Sequence, residues 1–166
     1  MIEHMLNSKQ QTLPNRFFII AIIALLTLIG ISLSGCEQSP PENIQQWPMS
    51  KTCNLHQEPC RSELEGRSVS LKISPHPVPI ARPLGIEVSM DNIEAEKVEL
   101  DISGINMYMG YNRVPLTAAT QPGRYIGTSM LAFCTNKKME WQITLIIHQK
   151  DGSQIQIPYR LDTINY

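Results

Sequence analysis

The chain lacks an apolar run of the roughly 20 residues that a membrane-spanning helix needs. Its longest, Phe17 to Ile31, has 15 residues, and adding Ser32 to Gly35 only narrows the gap. It also lacks a basic stripe. With Glu3, Lys9 and Arg16 set aside, Cys36 to Tyr166 holds 12 Lys and Arg against 14 Asp and Glu, a formal net charge of −2. That balance offers no electrostatic footprint for nucleic acid. Gly-rich phosphate loops, paired nucleophile motifs, internal repeats and low-complexity runs are missing, and no spacing places a pair of carboxylates together. There is no Cys-x-x-Cys to exchange thiols and no neighbour that would activate a lone cysteine, so an enzyme is not expected. From Ser68 onward no stretch has a helical period.

What is present begins with an export signal: a mildly basic start with Lys9 and Arg16, the apolar run, then small residues ahead of a cysteine. Leu33-Ser34-Gly35-Cys36 resembles the lipobox of bacterial lipoproteins. That resemblance implies cleavage before Cys36, diacylglycerol on its thiol, and a mature chain lipid-anchored in the cell envelope. An uncleaved anchor with an incidental cysteine is the alternative, and under either reading the rest of the chain faces an oxidising periplasm. Glu37 stands where an aspartate would argue for retention in the inner membrane, which points to the outer membrane. The expected organisation is a signal peptide over 1–35, a lipidated tether over 36–46 and one domain over 47–166. The tether is polar and carries Pro40 and Pro41, with nothing to bury. About 130 residues suit a single core.

The domain reads as all-β. Val69 to Ile73, Leu84 to Met90 and Val98 to Ser103 alternate apolar with polar, and a short strand is expected over Ile105 to Met109. Pro75, Pro77 and Pro79 forbid regular pairing in the segment Ser74 to Pro79 that follows the first of these, since proline has no N–H for a ladder. Gln121-Pro122-Gly123-Arg124 is a turn signal, Tyr125 to Phe133, Trp141 to His148 and Ile155 to Leu161 are further strands, and Lys150-Asp151-Gly152-Ser153 joins the last two as a hairpin. About seven such strands predict an immunoglobulin-like antiparallel β-sandwich, with a small antiparallel barrel as the alternative. Ordered structure should begin near Trp47, ahead of a loop containing Cys53 and Cys60.

Apart from Cys36, three cysteines remain, an odd number in an oxidising compartment. Cys53 and Cys60 close a short loop and form the favoured disulfide; a bridge from either to Cys134 is the alternative. A free Cys134 would sit among sulfur. Met130 lies four residues before it, on the same face of one strand by the period of two, Met139 lies five after, and Met107 and Met109 form another same-face pair. Thiolate and thioether select Cu(I), a soft ion; equally, Met-x-Met in a strand packs in cores. His56, His76 and His148 are weaker candidates, lying respectively in the cysteine loop, between prolines and at a strand end.

Gly104-Ile105-Asn106-Met107-Tyr108-Met109-Gly110, then Pro122-Gly123-Arg124-Tyr125-Ile126-Gly127, then Met139-Glu140-Trp141-Gln142-Ile143-Thr144-Leu145, taken in order, resemble the YtkA-like and FixH-like domains of bacterial envelopes. The resemblance spans roughly Val69 to His148. It implies a periplasmic immunoglobulin-like sandwich linked with copper handling or with assembly of haem-copper oxidases. It singles out Met107, Met109, Cys134 and Met139 as ligands, and a copper-delivery or oxidase-assembly protein as partner. The lipobox departs from the membrane-anchored FixH pattern and puts a direct role inside an oxidase assembly complex in doubt. The reading from another class is a metal-free interaction module that uses Tyr108, Tyr111 and Arg113 as a contact patch. For the anchor, Cys36→Ala should abolish metabolic palmitate labelling; labelling that survives the change contradicts lipidation at this residue.

Overall fold

The computed structural model describes residues 19–20, 43–50, 52–110 and 112–165. The lipobox, Cys36, the tether up to residue 42 and Tyr111 lie outside them. The chain divides into two compact units, Met1–Pro40 and Pro41–Tyr166. In the first, only Ile19 and Ile20 are described, both exposed and helical. Among the described residues no helix is long and apolar enough to cross a membrane.

The second unit is all-β. Its described strands are β1 (Ile44–Gln46), β2 (Cys60–Leu64), β3 (Arg67–Ser74), β4 (Leu84–Asp91), β5 (Lys97–Gly104), β6 (Asn112–Ala118), β7 (Arg124–Ser129), β8 (Lys138–His148) and β9 (Gln154–Ile164). They form one curled sheet in the order β1-β9-β8-β5-β6-β7-β4-β3-β2. All neighbours are antiparallel except β1 and β9. β6 is where the sheet turns: Asn112–Leu116 pair with β5, and Thr117 and Ala118 pair with β7.

Alternation dictates which face is covered, because successive side chains in a strand point to opposite faces. Leu84, Ile86, Val88 and Met90 of β4, Val98, Leu100 and Ile102 of β5, and Met139, Trp141, Ile143, Leu145 and Ile147 of β8 all turn inward and are buried. With Ile155, Ile157, Tyr159 and Leu161 of β9 they make one core. Tyr159 is held so far from water that its phenol is pushed up to about 12 by burial.

The N-terminal segment closes the curl. Trp47 is buried at 2% exposure, donates its backbone N–H to the Gln156 carbonyl at 2.9 Å and lies 5.8 Å under the Arg67 guanidinium. Arg67 also donates to the Gln45 side chain at 2.9 Å, so the chain beside β9 is tied to β3. Cys53 and Cys60 are joined by a disulfide, with Cα atoms 5.5 Å apart, as the favoured pairing required. His56 fastens the same loop: its Nδ1 accepts the Val78 N–H at 3.0 Å and its Nε2 donates to the Asp162 carbonyl at 2.6 Å.

Several expectations are corrected. Ile44–Gln46, within the expected tether, form strand β1, because they gain backbone bonds to β9 that their polar side chains do not advertise. β2 and β3 form an unexpected hairpin whose two turn residues, Glu65 and Gly66, have φ of 52° and 74°, the two-residue turn that matches sheet twist. Ile105 to Met109 is a loop, since the Met107 carbonyl folds back over Gly104, where any Cβ would collide. The strand expected over Tyr125 to Phe133 ends at Ser129, so Met130 and Cys134 lie in the following loop and not on one strand face. The three prolines do lie outside any strand, in the loop that joins the paired strands β3 and β4, and Gly123 turns with φ of 72° tight against the Met90 carbonyl. Trp47→Ala should cost about 3 to 5 kcal/mol, read from the denaturant midpoint; a loss below about 1 kcal/mol would show that the segment is decoration on a curl closed without it.

Candidate functional site: a sulfur pair at one end of the sheet

β5, β7 and β9 end, and β6 and β8 begin, at the same end of the sheet, as the registers Gly104↔Trp141, Ile102↔Asn112, Leu84↔Ser129 and Lys138↔Ile164 require. Two loops therefore meet there: residues 105–110 after β5 and residues 130–137 before β8. The first stays bonded to β8 for two residues beyond its strand. Ile105 N–H donates to the Glu140 carbonyl at 2.7 Å, and the Asn106 amide accepts from Glu140 N–H at 3.0 Å and donates to the Lys138 carbonyl at 2.9 Å.

The second loop is pinned at both ends. Leu131 is buried and its carbonyl accepts the Ala81 N–H at 2.8 Å. Asn165, just past β9, donates to the carbonyls of Cys134 and Asn136 at 2.6 Å each, and its own N–H donates to the Lys137 carbonyl at 2.8 Å.

These restraints bring the Cys134 thiol within 3.1 Å of the Met107 thioether sulfur. Cys134 is free and buried at 4% exposure, whereas Met107 is 41% exposed. Asn136 touches both sulfurs, donating its backbone N–H to Cys134 Sγ at 3.4 Å and its side-chain N–H to Met107 Sδ at 3.5 Å. Two of the four expected ligands thus converge, in the neighbourhood that a shared site demanded: the Met107 segment lies beside the turn linking Cys134 to Met139. Met109 is partly buried against the core, its Cγ 3.2 Å from where a Cβ on Gly104 would stand. Met139 is fully buried on the inner face of β8, so its side chain packs in the core and would reach an ion only from within it.

His76 is exposed in the proline loop after β3, while His56 and His148 are otherwise engaged. Both ring nitrogens of His56 bond to backbone, and His148 Nε2 lies 2.8 Å from Glu99. The Lys97 ammonium, and after it His148, hold the Glu99 carboxyl below its usual range against the opposing effect of burial. Among the described residues no cluster of three or more His, Cys, Asp or Glu could hold a metal ion.

Large apolar side chains remain exposed around the pair: Ile105, Tyr108, Met130, Phe133 and Ile164, with Tyr108 at 83%. Phe133 and Ile164 also line a groove with Val78, Pro79 and Ile80. Arg113 lies opposite Asp101 in the β5–β6 register. Neither the groove nor the roles of Asn106, Asn136 and Asn165 were anticipated; a lone asparagine carries no spacing signal, and its value here comes from loops that meet only in the fold.

No protein-family model matches the chain, and no curated protein or solved structure matches it either. Mass mapping without reduction should find Cys53 linked to Cys60, and Cys134 should resist alkylation until the protein is unfolded. A bridged Cys134 peptide would remove the thiol from the site.

Proposed function

We propose that this protein is a non-catalytic lipoprotein of the cell envelope, anchored through lipid on Cys36 and facing the periplasm, that binds Cu(I) with the Cys134 thiolate and the Met107 thioether. The observation that carries this reading is the 3.1 Å separation of the two sulfurs. Both are soft donors of the kind that select Cu(I). With metal–sulfur bonds of about 2.3 Å, as for zinc thiolate, two ligands on opposite sides of an ion lie about 4.5 Å apart. The pair therefore has to open by something over 1 Å. Met107 is suited to that movement, being half exposed and carried on a flexible, unbranched side chain. Met109, in the same loop, is the candidate for a third ligand.

The strand neighbours β3-β4-β7 and β6-β5-β8-β9 match the sheet partners of an immunoglobulin-like sandwich, with β6 in the place of the extra strand on the second sheet. That agreement, and the motifs resembling YtkA-like and FixH-like domains, support the copper reading and a copper-delivery or oxidase-assembly protein as partner. The Cys134 thiol is hydrogen-bonded to the Met107 thioether and the Asn136 backbone amide, a setting in keeping with a binder. Glu37 after Cys36 favours the outer membrane.

A second reading, a metal-free interaction module, draws on the exposed apolar side chains of Tyr108, Met130 and Phe133. Competition titration with a Cu(I) chelator under reducing conditions separates the two. Met107→Leu should weaken Cu(I) binding more than tenfold while costing less than about 1.5 kcal/mol in stability, since volume and apolarity are kept. Met139→Leu should leave binding within about twofold, since the change stays inside the core and is of the volume-conserving kind cores tolerate. A parent protein that takes up no Cu(I) hands the site to the interaction module.

A further inference from the structure

The geometry points to Asn106 and Asn165 as positioning residues that hold the sulfur pair ready for the metal, an inference that rests on the Cu(I) reading. Neither side chain bonds to a sulfur; each acts through backbone. β5 and β8 are in register down to Gly104↔Trp141, and Ile105 adds one further bond. At Asn106 the side-chain amide takes over the role of the next strand residue, accepting from Glu140 N–H and donating to the Lys138 carbonyl. The edge of β8 is thereby satisfied without the backbone of the following residue. That backbone is free to fold back over Gly104, which turns Met107 toward Cys134.

Asn165 works from the opposite edge of β8. Both hydrogens of its amide go to carbonyls of the 134–137 segment, and its own N–H goes to a third. It is 9% exposed, so these bonds are shielded from competing water. The thiol and the thioether are consequently both indexed to the first residues of β8, one through each asparagine. Without either tie, part of the affinity for the ion would be spent ordering a loop.

The test uses the full-length protein in detergent and two readouts, Cu(I) affinity by chelator competition and the rate of Cys134 alkylation in the native, metal-free protein. Asn106→Ala and Asn165→Ala should each weaken Cu(I) binding about tenfold, and Asn165→Ala should raise the alkylation rate several-fold. Asn92→Ala is the control, because it removes a comparable side-chain bond, to the Gly66 carbonyl, at the other end of the sheet; it should change neither readout. Asn106 is exposed, so Asn106→Ala keeps the question open should Asn165→Ala fail to fold. If both variants bind Cu(I) as the control does, the positioning role is overturned while copper binding by the parent stands. If the parent binds no Cu(I), the functional reading falls, and an unchanged alkylation rate in Asn165→Ala would overturn the tie on its own.

Discussion

The pairing of β8 on both its edges is the constraint from which the rest follows. Over all eleven residues it is bonded to β9, and over Trp141 to His148 it is bonded to β5. A strand flanked in this way cannot slip by one residue without moving Met139, Trp141, Ile143, Leu145 and Ile147 from the core to the outer face. Its register therefore fixes where β5 ends and where β9 ends. Those two ends carry the loop with Met107 and the asparagine that grips the loop with Cys134. The sulfur pair is a consequence of strand register in the first instance, and of local loop chemistry only in the second.

Closure of the curl depends on a different device. β1 and β2 are the outermost strands, and short strands alone give little reason for the edges to meet. Trp47 and the two-sided backbone bonding of His56 draw the N-terminal segment onto β9, and the Cys53–Cys60 disulfide ties it to the start of β2. Such a segment covers a β9 edge that would otherwise invite pairing with another chain.

Much of this was legible in the sequence wherever burial enforces alternation. β3, β4, β5, β8 and β9 were all readable from their apolar period, as were the proline break after Ser74, the turns at Gly123 and Gly152, and the disulfide. What escaped was set by contacts between distant parts of the chain. Ile44-Gln45-Gln46 is polar and becomes a strand only because the β9 edge is there to receive it. Ile105 to Met109 has the composition of a strand, yet it reverses because the Asn106 side chain replaces backbone on β8. For the site, Met107 and Cys134, singled out for their sulfur chemistry, are the two of the four residues that the loops bring together. Met139 shares that chemistry, but its odd-numbered place on β8 aligns it with Trp141 and Ile143 and commits it to the core. Period-two arithmetic anchored on Trp141 would have given that result.

X-ray absorption at the copper edge, on the full-length protein loaded with Cu(I), tests the central claim most directly. The account predicts a first shell of two or three sulfurs at about 2.3 Å, the value for thiolate on a comparable ion, reduced by one in Met107→Leu. A shell dominated by nitrogen or oxygen, or one unchanged by Met107→Leu, would contradict it.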